Sequence, residues 1–333
     1  MCGIFGFIGM SSVRTSLLVE QLCIADAVRG RDSTGLCVHQ RPGLAWLVKH
    51  AKPGTAFVAD GHTAFLFDRQ KAGSGYRIVL GHNRAATSGA VTARNAHPFP
   101  LPLGGREHDF GVHNGTIGRT KELAKTFGVK GSFEVDSEVA LRAVAKLRSG
   151  GLDTPGAVER VTEFISADAD FAFAYLETAA ETVWLWRSPD RPLAAIDATA
   201  VGLGWWFCST PAIFERAWGS IRGFLFPVSK LKAYELSPYR LYRVRWGGGS
   251  PSFEPVRELR HNRRVRPAPP PPATGAPAGP VRQGELFAPP AGASSFEAMK
   301  QRARERTAAG ENWYTSVAAR GPVRGLSTGC GRN

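Results

Sequence analysis

Apolar positions open the chain. Ile4, Phe5, Phe7 and Ile8 form a run punctuated by Gly3, Gly6 and Gly9, with the size and branching of a buried strand. Ser11 and Ser12 can cap a helix reaching about residue 28, with Leu17, Leu18, Leu22 and Ala25 at helical spacing. Residues 34–39 and 44–48 read as strands joined by a turn. Residues 77–81 make a strand that runs into the polar segment 81–89. A long loop then contains residues 95–99, and 110–113 form a short strand. Helices follow over 119–127, 137–148 and 155–165, the last with proline in its first turn. Strands at 171–176, 183–186, 193–196 and 205–208 precede a helix at 211–218. The clean alternation of 241–246 gives a closing strand. Strands thus come in runs broken by helix pairs. That order predicts a layered α+β fold, two sheets sandwiched by helices, over a doubly wound parallel sheet.

Composition sharpens this picture. The 333 residues are 43 % hydrophobic with eight Trp, ample for a core. No apolar run reaches the roughly 20 residues of a membrane span, and no basic segment followed by an apolar one suggests a signal peptide. The five cysteines (Cys2, Cys23, Cys37, Cys208 and Cys330) include no CxxC pair, which argues against a disulfide framework or a structural zinc site. A reducing, cytoplasmic setting fits. No HExxH or comparable spacing occurs, so neither metal nor cofactor is expected. The net charge of +14 is uneven: residues 256–333 carry 13 Lys and Arg against 5 Glu. Within them 266–290 is dominated by Pro, Ala and Gly, with four consecutive prolines at 269–272. Such a stretch cannot build a packed core. The expected division is a folded domain over 2–255 and a basic, mostly disordered tail over 256–333.

Cys2 supplies candidate chemistry. Methionine removal normally proceeds when the second residue is small, which would leave a thiol and a free α-amine on one residue. A Cys thiol titrates near 8.5 and an α-amine at about 7.7–8.0, so the amine can take the thiol proton and later return it to a leaving group. The competing reading of Cys2 is a small core hydrophobe.

Five separated segments bear on that choice: MCGIFGFIG at 1–9, RGRDSTG at 29–35, GHNRAATSG at 81–89, NAHPF at 95–99 with HNGTI at 113–117, and VDSEV at 135–139. In this order and spacing they resemble the glutaminase domain of class II glutamine amidotransferases, over about residues 2–246. The resemblance implies the four-layer αββα sandwich of the N-terminal nucleophile hydrolases. It implies hydrolysis of the side-chain amide of L-glutamine through a Cys2 thioester, giving glutamate and ammonia. It assigns the oxyanion donors to the Asn114 side chain and the Gly115 N–H, the α-carboxylate to Arg84 and the α-ammonium to Asp136. Thr87 and His97 join the same pocket, and Arg29 organises the loop beside the nucleophile. Read without the resemblance, Asn114-Gly115 is a hairpin-turn signal and Asp136 a helix cap. In the sugar-phosphate aminotransferase branch the positions of Ala85 and Ser88 hold Trp and His, so the aromatic that gates ammonia there has no counterpart at Ala85.

Class II glutaminase domains usually feed a synthase domain, and the tail has no room for one; a separate ammonia-accepting enzyme is the expected partner. SGGLDT at 149–154 resembles a pyrophosphate-binding loop, yet it follows an amphipathic helix and reads better as a helix end and the next helix start. QGELF at 283–287 resembles peptides that dock on the bacterial sliding clamp. Arg302, Arg304 and Arg306 could touch nucleic acid, and 311–317 carries two aromatics suited to docking. Two alternatives stand beside glutamine hydrolysis: an amidase for another γ-glutamyl or amide substrate, and a non-enzymatic adaptor working through the tail.

Overall fold

The computed structural model describes residues 1–262 apart from residue 43 and residues 72–74, 105–106, 222–226 and 229–230. The tail segments at 283–287, 302–306 and 311–317 lie outside the described residues.

Strand β1 (Gly3–Ile8) sits inside a seven-stranded sheet. It lies between β4 (Ile78–Arg84) and β10 (Trp205–Cys208), antiparallel to both. The outer strands are β2 (Ser33–Arg41) and β3 (Leu44–His50) on one side, β9 (Ala194–Asp197) and β11 (Lys232–Glu235) on the other. The second sheet has six strands, in the order β13 (Pro251–Glu258), β12 (Arg240–Trp246), β8 (Thr182–Arg187), β7 (Asp170–Glu177), β6 (Glu107–Thr116) and β5 (Phe99–Gly104).

Side-chain alternation on β1 explains its unbroken apolar run. Ile4 and Ile8 enter the layer between the sheets with Leu80, Val112, Ala174 and Leu185. Phe5 and Phe7 point the other way, under α1 (Val13–Asp26), α2 (Gly54–Ala59), α3 (Phe65–Lys71) and α7 (Pro211–Gly219). A strand buried on both faces needs apolar residues at every position. The second sheet is covered by α4 (Thr120–Phe127), α5 (Asp136–Ser149) and α6 (Thr154–Ile165), with Leu123, Val144, Val158 and Phe173 in that core. The result is the expected αββα sandwich.

Local signals held at the helix ends. Ser12 caps α1, accepting from the Thr15 N–H while the Thr15 hydroxyl answers to the Ser12 N–H, a reciprocal capping box. Gly150 closes α5 and Asp153 caps α6, so the SGGLDT string is a helix end followed by a helix start. Three expectations change. Residues 99–104 and 107–116 pair as antiparallel strands β5 and β6 in place of a loop and one short strand. Asn114 and Gly115 lie inside β6, opposite Ala172 and Phe171, so they are no hairpin turn. Strand pairing also continues through Glu258, and Leu259 is buried, carrying the packed chain past residue 255. Among the described residues no helix is long and apolar enough to cross a membrane.

Candidate active site

Cys2 precedes β1 by one residue. In the register that pairs Gly3 with Asn83, it falls beside the end of β4, where Arg84 begins the loop 84–90. The thiol is 9 % exposed. Its sulfur is 3.4 Å from the Ala85 N–H, which donates to it, and 3.4 Å from the Ala85 carbonyl. Arg29 Nε donates to the Cys2 carbonyl at 3.0 Å, fixing the peptide that follows Cys2. Burial pushes the thiol up; the Ala85 N–H, the terminal ammonium and Arg84 oppose this, and Asp136 adds to it. Arg84 and Asp136 are therefore both electrostatic neighbours of the sulfur.

The second sheet reaches the same end of the sandwich. His82, opposite Ile4 on β4, holds the His113 carbonyl through Nε2 at 2.9 Å, a bond from one sheet to the other. The next residue is Asn114, 1 % exposed, whose Nδ2 has no hydrogen-bond partner. Gly115 follows with φ +148°, and a Cβ there would stand 1.8 Å from the Asp170 carbonyl. Only glycine fits so close a backbone approach.

Asp136 opens α5 and ties it to the end of β6. Its Oδ2 accepts from the Ile117 N–H at 2.7 Å and its Oδ1 from the Ser137 N–H at 2.8 Å. A carboxylate has about four acceptor positions, so these bonds leave capacity for a cationic ligand. Thr87, Ser88, Thr116, Phe133, Glu134 and Asp136 border a cavity of about 200 Å³. Arg84 is buried and is not among the residues bordering it; its guanidinium donates to the carbonyls of Ser88, Gly89 (3.5 Å) and Ala90 (3.1 Å). Those bonds use three of five donors.

His97 lies apart from that cavity. It is packed on His82 (ring centroids 4.0 Å) and Phe99 (4.5 Å), and burial drives it well below the usual histidine value. Three residues without an assigned role hold the loop 84–90 in shape. Asp32 Oδ2 accepts from the Ala86 N–H at 2.7 Å. Glu134 Oε2 accepts from the Ala90 N–H at 3.1 Å and from Asn95 Nδ2 at 2.8 Å. All three stand in or beside the segments singled out above, which was the only sequence signal for them. Among the described residues no group of three or more His, Cys, Asp and Glu could hold a metal ion.

Known proteins resemble the chain over part of its length. The profile of the family described as "Glutamine amidotransferases class-II" matches residues 49–165. Glutamine–fructose-6-phosphate aminotransferase (isomerizing) of Bacillus spizizenii is 28 % identical over 203 residues, 60 % of this chain and 31 % of that protein. The protein of the same name from Lactococcus lactis is 31 % identical over 189 residues, 56 % of this chain and 29 % of that one. The chain thus spans less than a third of the length of these curated relatives. A solved structure of glutamine phosphoribosylpyrophosphate amidotransferase from B. subtilis superposes with a TM-score of 0.55 at 17 % identity, covering 76 % of this chain and 49 % of that one. The layered fold of two packed sheets is shared with that structure. Residues 49–165 match the class II glutamine amidotransferase family, and similarity to the curated relatives extends over 60 % of the chain.

Proposed function

We propose that this domain hydrolyses the side-chain amide of L-glutamine to glutamate and ammonia, with Cys2 as the nucleophile once Met1 has been removed. The freed α-amine takes the thiol proton, and the thiolate attacks the amide carbon. Negative charge develops on the amide oxygen, where Asn114 Nδ2 and the Gly115 N–H serve as donors in a water-poor site. Collapse of the intermediate expels ammonia, which takes its proton from the α-ammonium, and leaves a γ-glutamyl thioester on Cys2. Water then adds to the thioester, losing a proton to the amine, and glutamate departs as the thiol re-forms.

The substrate's other end is held by complementary charge. Asp136 accepts from the α-ammonium, Thr87 contributes its hydroxyl, and Arg84 meets the α-carboxylate with the donors its loop carbonyls leave free. The observation that carries this reading is the Asn114 amide, buried without an acceptor beside a glycine that backbone crowding requires. A buried donor left open in the empty protein is what an oxyanion would complete. The ammonia passes, we propose, to a separate cytoplasmic acceptor enzyme; the names of both relatives include an acceptor, fructose 6-phosphate.

The test is glutamate release by the purified full chain. Intact mass should show Met1 absent, glutamate and free ammonia should appear in equal amounts, and Cys2→Ala should abolish both with an unchanged circular dichroism spectrum. Continued hydrolysis by the folded Ala variant rules the assignment out.

A further inference from the structure

The helix-side face of β1 carries an ionisable group that the reaction above does not use. Asp26, the last residue of α1, is 0 % exposed. Its carboxyl group lies against Gly3: a Cβ built there would stand 1.8 Å from Oδ2 and 2.2 Å from Oδ1. The carboxyl group therefore fills the space a side chain at position 3 would need. Oδ2 receives one long hydrogen bond, 3.4 Å from Asn83 Nδ2, and Oδ1 has no partner. Asn83 is the residue paired with Gly3, and it is itself held by the Cys23 carbonyl at 2.9 Å and the Thr34 hydroxyl at 2.8 Å. Just past the helix, Arg29 grips the Cys2 carbonyl at 3.0 Å. The end of α1 and the turn after it thus meet Gly3 through the Asp26 carboxyl and Cys2 through Arg29. The carboxyl lies on the face opposite Ile4, whereas alternation turns the Cys2 side chain toward Ile4's face.

We propose that Asp26 is a positioning residue for Cys2, bracing the nucleophile's backbone from the face opposite the thiol and, through its charge, setting the pH at which the thiol becomes reactive. This rests on the reading of Cys2 as the nucleophile. The groups around the carboxyl are few. Cys23 comes from its own helix, Arg29 from the turn after it, Asn83 from β4 and Cys208 from β10. Around the thiol stand the Ala85 N–H, the terminal ammonium, Arg84 and Asp136. Burial, opposed by Arg29 and Asn83, pushes Asp26 up to about 8, and its place at a helix C-terminus works in the same direction. Asp26 is then uncharged at pH 7 and ionises over the range in which an α-amine titrates, about 7.7–8.0. A negative charge gained there disfavours the thiolate and delays its appearance as pH rises.

Carbamidomethylation of Cys2 by iodoacetamide, followed against pH by peptide mass spectrometry, reads the thiol directly and needs no turnover. In Asp26→Asn, which keeps the shape and removes the charge, the midpoint should move to lower pH and the rate at pH 8 should rise roughly threefold, as half a pH unit implies. An unchanged midpoint in a folded variant overturns the proposal. Should that variant not fold, the Asp26 carboxyl carbon in the unmodified protein still decides by NMR: titration between pH 7 and 9 is expected, and titration below pH 5 overturns the proposal. If the midpoint shifts while no glutamate is ever produced, the assigned reaction fails and the role of Asp26 stands.

Discussion

Leaving a buried donor unpaired costs about 1–3 kcal/mol, so Asn114 burdens the empty protein and must be kept for what it does when occupied. Asn114→Ala is expected to lower kcat by roughly 10²–10³-fold, the usual loss of one oxyanion donor, while the melting temperature holds or rises slightly. Steady-state kinetics beside calorimetry separate the two; an unchanged kcat with a lower melting temperature would make Asn114 a structural residue. Gly115→Ala should behave oppositely. Its Cβ would meet the Asp170 carbonyl at 1.8 Å, and strain of about 1–3 kcal/mol should appear as a lower melting temperature. The Asn-Gly pair was visible in the sequence, but its setting was not. Taken alone it signals a hairpin turn, and only pairing with Ala172 and Phe171 shows that the strand runs straight through it. For Asp136 the sequence left a choice between cap and ligand. The structure has it accept from the Ser137 N–H at the start of α5 and from the Ile117 N–H just past β6 while bordering the cavity, so one carboxylate ties helix to strand and keeps an edge on the cavity.

Among the elements, the loop 84–90 is held by bonds from both sides. Arg84 gathers the carbonyls of Ser88, Gly89 and Ala90 from within, while Asp32 and Glu134 take the N–H groups of Ala86 and Ala90 from without. Glu134→Ala removes the acceptor for Ala90 and Asn95. Loss of these two hydrogen bonds should raise KM for glutamine and leave kcat nearly unchanged, since the bonds position the loop and not the reacting atoms. The Ala90 and Asn95 bonds also hold the Glu134 carboxyl below the usual carboxylate value. Its contribution is therefore complete above that usual value and is lost as pH falls through the lowered one, where KM of the unmodified enzyme should climb. Such a clamp is hard to read from sequence because its members come from separate segments. Whole elements escaped for simpler reasons. Helix α2 has six residues, too few to show a helical period, and β11 is exposed at every position and lacks alternation. Strand β13 contains Pro251 and Pro255, which mark an edge strand and mask it as a loop.

Across the whole molecule, the four layers were legible because strand runs and helix pairs alternate in the order the layers require. The ionisable groups sealed inside were not, since burial follows from packing and not from residue type. Their balance predicts how stability varies with pH. Burial lowers His39 and His113 to about 4 and His82 to about 3, so their contribution is whole above the unfolded value near 6.5 and is lost as pH falls toward those figures. Glu20 and Asp26 are raised to about 7 and about 8, so theirs is whole below the unfolded carboxyl value near 4 and is lost as pH rises to those figures. Between pH 4 and 6.5 three histidines outweigh two acids, and stability should rise. Above 6.5 only the acids still titrate within this set, and stability should fall by on the order of 2 kcal/mol by pH 8. For a domain of this size that is roughly 4–8 °C. Calorimetry from pH 4 to 9 should place the maximum near 6.5. The combined Glu20→Gln and Asp26→Asn variant should keep the acid limb and lose the alkaline one. A melting temperature still falling between pH 6.5 and 8 in that variant would mean that neither acid is held neutral in the core.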